Sequence, residues 1–133
     1  MQNRREQREC VFSLVYELDY NRDYAPQSIY ENAIEERAIE QTDYIRETFF
    51  GVVEKLDEID EKIKEKSEGW SIDRISKVSM ALMRLCTYEM LYAKVPYNIA
   101  INEAIELVKK YDDEKVKGFM NGILNAIAKD SEK

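Results

Sequence analysis

Apolar side chains recur with a helical period along the whole chain, and no segment shows the sustained alternation that is typical of a strand. The first helix follows a stripe of four apolar residues, Val11, Leu14, Val15 and Leu18, and the polar loop 19–24 ends it. Pro26, whose fixed φ suits the first turn of a helix, begins the second. Its predicted inward residues are Ile29, Ala33 and Ile39.

A third helix is predicted to begin at Thr42 or Asp43, because either side chain can cap it. Its apolar stripe consists of Ile45, Phe49, Val52, Val53, Leu56, Ile59 and Ile63. A stripe of that extent predicts one long helix of about 22 residues, or about 33 Å. The segment 67–69 breaks it.

Residues 74–93 predict a helix that is apolar on almost all sides, with Trp70 and Ile72 in a short turn before it. Such a helix belongs in the middle of a bundle. Pro96 disfavours helical geometry at Val95, so 94–97 is predicted to be a turn, after which Asn98 can cap the next helix. The last helix carries one stripe, Val116, Phe119, Met120, Ile123 and Ile127. We therefore expect one all-α domain, residues 1–133, of six or seven helices.

Composition narrows the class of protein further. The 133 residues suffice for a core that needs no cofactor or disulfide. Cys10 and Cys86 each lie in an apolar helical pattern, which favours a cytoplasmic protein with reduced thiols. No apolar run approaches the roughly 20 residues of a membrane span, and the N-terminus lacks the apolar segment of a signal peptide. We expect no membrane association.

Charge is distributed unevenly along the chain. The net charge is −7, and residues 31–68 hold 13 acids and 6 bases, which leaves 14 of each elsewhere. All of the excess negative charge therefore lies on the middle helices. The first eight residues hold Arg4, Arg5 and Arg8 against Glu6 alone. A locally basic patch on an acidic protein is possible, although long-range attraction of RNA would be weak.

Catalytic and metal-binding groups are scarce. Histidine is absent, which excludes any site that needs imidazole as a neutral-pH base, and two distant cysteines do not make a zinc site. The acidic run 112–114 could suggest a hard cation, but it is better explained as the capped start of a helix. No glycine-rich phosphate loop occurs. We expect neither an enzyme nor a bound metal or cofactor.

Groups that could bind RNA occur at both ends of the chain. Arg4 and Arg8 share a helical face, so with Arg5 they could offer guanidinium groups to phosphates, or instead be solvated and paired with Glu6 and Glu9. Near the other end lie Lys115, Lys117, Phe119 and Asn121. An aromatic ring beside basic and amide groups is typical of single-stranded RNA binding, although Phe119 also lies on the apolar stripe of its helix.

The segment 95–128 carries the most specific signal. It reads VPYNIAINEAIELVKKYDDEKVKGFMNGILNAIA. The runs AINEAIELVKK and FMNGILNAIA resemble the C-terminal signature of the bacterial antitermination factors of the NusB family, and VSMALMRLCTYEM at 78–90 and the arginine-rich start are similar to further family motifs. Residues 20–68 match only in length and helical pattern.

This resemblance implies a fold and a function. The fold would be two packed three-helix subbundles, and the function would be RNA binding without catalysis. The family's arginine-rich start belongs to its RNA surface, which recognises the boxA element of transcripts together with the ribosomal protein NusE, in the RNA polymerase antitermination complex on ribosomal RNA operons. RNA-binding residues would then be Arg4, Arg5, Arg8, Lys115, Lys117, Phe119 and Asn121.

A surface for the protein partner is expected on the apolar helix 74–93 and on Tyr16. The flexible and aromatic residues Met80, Met83 and Tyr88, with Ser79, are the candidates, and burial between the subbundles is the alternative. Ser79 stands where the family commonly has an acid, which puts one charged contact with the partner in doubt. Tyr111-Asp112 replaces its usual Phe-Gly, so an altered turn is expected there, and Gln7 replaces an alanine.

Two other functions fit the same features. One is the N-terminal RNA-binding module of a ribosomal RNA cytosine methyltransferase, which would require a catalytic domain beyond Lys133. The other is a helical adaptor that binds only protein, which would show no salt-sensitive affinity for RNA.

Overall fold

The structure is a computed structural model that describes residues 2–21, 23–37, 39–70 and 75–132. Within these ranges it contains seven α-helices, one 3-10 turn and no strand, which confirms the all-α prediction. The helices are α1 Arg4–Tyr20, α2 Pro26–Arg37, α3 Asp43–Glu54, α4 Leu56–Lys66, α5 Lys77–Leu91, α6 Tyr97–Tyr111 and α7 Lys117–Ser131, with the 3-10 turn Glu114–Val116 between the last two.

Helix α5 lies in the middle of the molecule and packs against five others, α1, α3, α4, α6 and α7. Nine of the ten residues at 81–90 are buried, as the apolar sequence predicts. The Ser76 hydroxyl caps its first turn by accepting a hydrogen bond from the Ser79 N–H at 3.0 Å. The predicted turn residue Ile72 and the predicted helix start at 74 lie outside the described residues.

The helices form two groups, and α5 belongs to the second and packs against the first. Helices α1, α2 and α3 make the first, in which α1 contacts both α2 and α3. Helices α5, α6 and α7 contact one another and make the second. The two groups meet where α5 packs on α1 and α3. Helix α4 follows α3 and packs on α5 and α7 of the second group. None of the described helices has the length and apolarity required to cross a bilayer.

The predicted long third helix is two helices, so that prediction is wrong in its length. The helix is interrupted at Lys55, which has φ −100° and ψ 12° and separates α3 from α4. The apolar stripe continues through the break, because Phe49, Val52, Ile59 and Ile63 are all 0 % exposed. Thr42 caps α3 by accepting a hydrogen bond from the Ile45 N–H at 3.1 Å, which decides between the two predicted caps.

The start of α6 also differs from the prediction. Pro96 is its N-cap residue and Asn98 lies inside the first turn, so Asn98 does not cap it. Asp112 has an extended backbone with φ −141°, not the left-handed geometry of a glycine turn. Asp113 accepts a hydrogen bond from the Lys115 N–H at 3.0 Å, so the acidic run does begin the 3-10 turn as a cap.

Gly51 in α3 and Tyr88 in α5 meet where the two groups of helices join. A methyl group built on Gly51 would overlap the phenol of Tyr88, whereas one built on Gly122, in α7, meets nothing within 4 Å. Tyr88 also stacks on Tyr92, with ring centroids 5.7 Å apart. The absent side chain at Gly51 therefore makes the seat for the Tyr88 ring.

This seat predicts coupling between the two residues. Gly51→Ala should displace the Tyr88 ring and lose its packing, while in a Tyr88→Ala background the same change should stabilise the helix by about 0.5–1 kcal/mol, the usual gain from replacing glycine. A double-mutant cycle measured by urea unfolding should give a coupling of about 1–2 kcal/mol. Gly122→Ala is the matched control and should be stabilising by itself. If Gly51→Ala is equally stabilising in the wild-type background, Tyr88 does not occupy this seat.

Candidate nucleic-acid interface

Arg8 is buried, and it joins α1 to α5. Its Nε and Nη2 donate hydrogen bonds to Glu89 Oε1 and Oε2 at 2.7 and 3.0 Å. Arg8 is 7 % exposed and Glu89 only 1 %. Two hydrogen bonds from a planar guanidinium to the two oxygens of one carboxylate make a geometry in which a buried ion pair is tolerated. The prediction that Arg8 offers its guanidinium to RNA phosphates is wrong for this conformation, because the group is enclosed and occupied.

Glu103, on α6, links the buried pair to the surface. It accepts two hydrogen bonds from Arg5, at 3.0 and 2.7 Å, and one from Arg8 Nη1 at 3.4 Å. The Arg5 side chain is 64 % exposed and that of Glu103 is 11 % exposed. The hydrogen bonds from Arg5 hold the pKa of Glu103 below its ordinary value. The partners of Arg5 and Arg8 are thus Glu89 and Glu103, not the neighbouring Glu6 and Glu9 that the sequence offered.

Arg4 has a different environment, on the ring of Tyr44. Its Cζ lies 4.0 Å from the ring centroid, a cation–π contact. Tyr44 in turn donates its hydroxyl to Glu89 Oε2 at 3.1 Å, and burial together with the charge of Glu89 raises the pKa of Tyr44. Among the described residues no acid pairs with Arg4. Its exposed guanidinium is therefore positioned by stacking while its hydrogen-bond donors stay available to an anion.

The second basic group lies at the start of α7. Lys115 is exposed, and Lys117 donates to Glu114 Oε1 at 3.2 Å on the surface. Phe119 is half-buried and contacts Trp70, with ring centroids 5.6 Å apart and planes inclined by 45°. Trp70 is 52 % exposed. Phe119 is thus both a core residue and one side of a surface aromatic pair.

Trp70 was missed as a candidate for binding, although an isolated tryptophan beside a glycine in a polar loop was a signal for it. Asn121 is exposed one turn after Lys117. Lys117, Phe119 and Asn121 all lie on α7, but Lys117 and Asn121 share one face and Phe119, which contacts Trp70, lies on another. The arginines lie on another helix, α1, which is joined to this half of the molecule through Glu103 of α6.

Comparison with known proteins gives a consistent result. The family model of the NusB family matches residues 5–129. The transcription antitermination protein NusB of Thermoanaerobacter sp. (strain X514) is 41 % identical over 129 residues, which are 96 % of this chain and 91 % of that protein. The chain belongs to the NusB family.

Solved structures agree with this assignment. NusB of T. maritima superposes with a TM-score of 0.85 at 36 % identity, over 96 % of this chain and 92 % of that one. A structure of the antitermination factors NusB and NusE in complex with double-stranded RNA superposes with a TM-score of 0.83 at 31 % identity, over 96 % of both chains. NusB proteins are transcription factors, and the predicted fold and family are confirmed.

The candidate partner residues of this NusB chain divide by burial. Met83 and Ser79 are both 0 % exposed, so the prediction that they contact a partner directly is wrong for this conformation. Met80, Tyr88 and Tyr16 are half-buried and present part of their surface. Tyr16 belongs to an aromatic row, with ring centroids 6.3 Å from Phe12 and 4.9 Å from Tyr20, and Tyr20 is 60 % exposed.

Ser79 and Asp112, two of the residues that depart from the family pattern, are in contact. The Ser79 hydroxyl donates to Asp112 Oδ2 at 2.8 Å, and the Ser76 hydroxyl donates to the same oxygen. Burial opposes ionisation of Asp112, but the hydrogen bonds from Ser76, the Asp113 N–H and Ser79 outweigh it and lower its pKa. A carboxylate is thus present beside position 79, supplied by α6's end instead of by α5.

Metal binding finds no support in this geometry. Within the described ranges, no group of three or more cysteine, aspartate and glutamate side chains is arranged to hold an ion. Cys10 and Cys86 are free thiols.

The different environments of Arg8 and Arg4 predict different effects of the same substitution. Arg8→Ala leaves Glu89 buried without its cation and should lower the free energy of unfolding by about 3–5 kcal/mol. Arg4→Ala removes one exposed cation–π contact and should cost at most about 1 kcal/mol. Urea unfolding at neutral pH measures both. Equal losses would mean that Arg8 is not the residue that anchors α1.

The lowered pKa values of Glu103 and Asp112 predict loss of stability in acid. Their ordinary values are 4.5 and 3.8, and the folded state lowers both. The folded chain then binds protons less readily than the unfolded chain, so the contribution is complete above about pH 4.5 and is lost as pH falls through the lower folded values. Unfolding free energies should be level above about pH 5 and fall toward about pH 3.

The variant Glu103→Gln tests the source of this acid sensitivity. It should be less stable than wild type near neutral pH and should lose less stability between about pH 5 and pH 3. Glu106→Gln is the control, because Glu106 is exposed on the same helix and pairs only with Lys109 at 3.2 Å among the described residues. An unchanged acid slope in Glu103→Gln would contradict the assignment.

Proposed function

We propose that this chain is a non-enzymatic, cytoplasmic transcription antitermination factor. It binds boxA-like RNA together with the ribosomal protein NusE and acts in the RNA polymerase antitermination complex that supports transcription of ribosomal RNA operons. The observation that carries the proposal is the family match over residues 5–129. A relative of the same fold was solved with NusE and double-stranded RNA.

The contacts that support RNA binding lie on two surfaces. On α1, Arg4 is available to phosphates from its place on Tyr44, and Arg5 can exchange its exposed bond to Glu103 for a phosphate. At the start of α7, Lys115 and Lys117 supply positive charge, and the Phe119–Trp70 pair lies on a different face of the same helix. Exposed aromatic rings bind bases that are not stacked in a duplex, so this second surface favours single-stranded RNA. Arg8 acts as a positioning residue, since it holds the helix that carries Arg4 and Arg5.

The partner surface has aromatic character, and Lys77 beside it is paired with Asp19 at 2.7 Å. Tyr16 and the exposed Tyr20 extend along α1, and Lys77 Nζ lies 5.4 Å from the Tyr20 ring centroid. Met80 and Tyr88 add half-buried side chains on α5. Aromatic residues and methionine are enriched at the centres of protein interfaces. Direct contact by Met83 or Ser79 is not part of the proposal.

The charge distribution makes the partner necessary for tight RNA binding. Residues 31–68 hold 13 acids and 6 bases, so RNA is repelled except along the two basic groups. A basic ribosomal protein docked beside them would neutralise part of this field and add its own phosphate contacts. NusE should therefore raise RNA affinity at least tenfold, about 1.4 kcal/mol of coupling, and RNA should raise NusE affinity by the same factor.

A titration of fluorescently labelled boxA-like RNA, with and without NusE, tests this. Arg4→Ala should weaken RNA binding and reduce the salt slope by about one contact, and Phe119→Ala should weaken it without changing the slope. Lys64→Ala is the control for the loss of one exposed cation, on α4. Full-strength binding by the free chain, with no effect of NusE, would contradict cooperative loading. RNA affinity that none of these variants alters would contradict the RNA surface itself.

A further inference from the structure

A groove of about 600 Å³ runs between α6 and α7, and four asparagines line it. The volume falls within the range of ligand sites, about 300–1,000 Å³. The sequence contains seven asparagines, so more than half of them converge on this one groove. They are Asn98, Asn102, Asn121 and Asn125.

The asparagines form two pairs with the same spacing, one pair on each wall. Asn98 and Asn102 are one turn apart on α6, and Asn121 and Asn125 are one turn apart on α7. The hydroxyls of Tyr97, at the start of α6, and Ser131, at the end of α7, are 2.8 Å apart, so the two helices run antiparallel. The two walls therefore face each other with matched rows of amides.

Helix stability does not account for these residues. Asparagine is among the poorer helix formers, and it favours caps and turns. Asn3 and Asn21 do occupy the ends of α1, where such residues are expected. The four groove asparagines lie inside helices, and all four are exposed. When residues with low helix propensity are concentrated on one surface of a helix pair, that surface is expected to have a function.

The α7 pair presents a defined pattern of donors and acceptors. Asn125 Nδ2 donates to the Asn121 backbone oxygen at 2.8 Å and to Asn121 Oδ1 at 3.0 Å. A carbonyl oxygen only accepts, so the orientation of both amides is fixed by this contact. This contact uses Asn125 Nδ2 and Asn121 Oδ1, which leaves Asn121 Nδ2 as a donor and Asn125 Oδ1 as an acceptor for a ligand. A base edge carries the complementary pair.

The floor and rims of the groove suit a nucleotide. Ile101, Ile105 and Ala128 supply apolar surface between the amide rows, against which a base can lie flat. Lys117 and Lys129 supply positive charge, opposed by Glu132. Lys117 and Asn121, two of the RNA-binding candidates, lie on the groove face of α7, so RNA bound by the basic residues at the start of this helix reaches the groove.

We propose that the groove between α6 and α7 reads bases of single-stranded RNA, with Asn102, Asn121 and Asn125 determining sequence preference. This rests on the proposed RNA-binding function and extends it, because it assigns base recognition to the amides and phosphate binding to the arginines and lysines. Amides read base edges without a contribution to counterion release. The two sets of residues therefore differ in their dependence on salt.

The test compares two RNAs of equal length, boxA-like and scrambled, in titrations with the full chain and NusE. Asn102→Ala/Asn125→Ala should lower affinity for the boxA-like RNA at least tenfold, with little change for the scrambled RNA and an unchanged salt slope. Both changes are to a better helix former at an exposed position, so the fold is expected to survive, which circular dichroism checks. Asn32→Ala, at an exposed position of α2, is the matched control and should have no effect.

Other outcomes overturn the inference in distinguishable ways. If the double variant discriminates like wild type while Arg4→Ala and Phe119→Ala still weaken RNA binding, the groove does not read bases and the proposed function stands. Equal losses for both RNAs would also exclude base reading. A loss of NusE affinity alone would make the groove a protein site. If no variant, including Arg4→Ala and Phe119→Ala, alters RNA binding, the proposed function fails as well.

Discussion

The buried pair of Arg8 and Glu89 is the constraint on which the arrangement of this chain depends. Two charges removed from water require each other, and the 2.7 and 3.0 Å bonds between them fix α1 against α5. Glu89 Oε2 also accepts a hydrogen bond from the Tyr44 hydroxyl of α3, and Arg8 Nη1 donates one to Glu103 of α6. One ion pair thereby sets the relative positions of four helices.

Helical period predicted most of the fold because it reports burial directly. The stripes of α1, α5 and α7 consist of residues that are buried in the core or half-buried against it. The break at Lys55 was invisible, since the apolar spacing of Phe49, Val52, Ile59 and Ile63 continues through it. Local preference also misplaced the cap of α6, where Pro96 precedes the helix and Asn98 lies inside it. The break in the helix and the N-cap of α6 were both mispredicted because tertiary packing determines them and the local sequence does not distinguish between the alternatives.

The site was harder to predict than the fold, because its contacts join residues that are distant in sequence. Spacing correctly places Arg4 and Arg8 on one face, yet their partners are Tyr44 and Glu89, which no local pattern connects to α1. Met83 illustrates the same limit, since a flexible apolar residue suits either an interface or a core, and here it is 0 % exposed. Ser79 and Asp112, separate departures in sequence, form one contact at 2.8 Å in space.

The buried ion pair of Arg8 and Glu89 restricts which substitutions this sequence can accept. If either residue is replaced alone, the other is left as an unpaired charge in the core. A stepwise replacement of the pair must therefore pass through a much less stable protein. The pair can only be exchanged together, and a coordinated double change is rare. Arg4 and Arg5 are less restricted, because both side chains are themselves exposed. Variation in nucleic-acid affinity is thus available through the outer arginines, while the helix that carries them keeps its place.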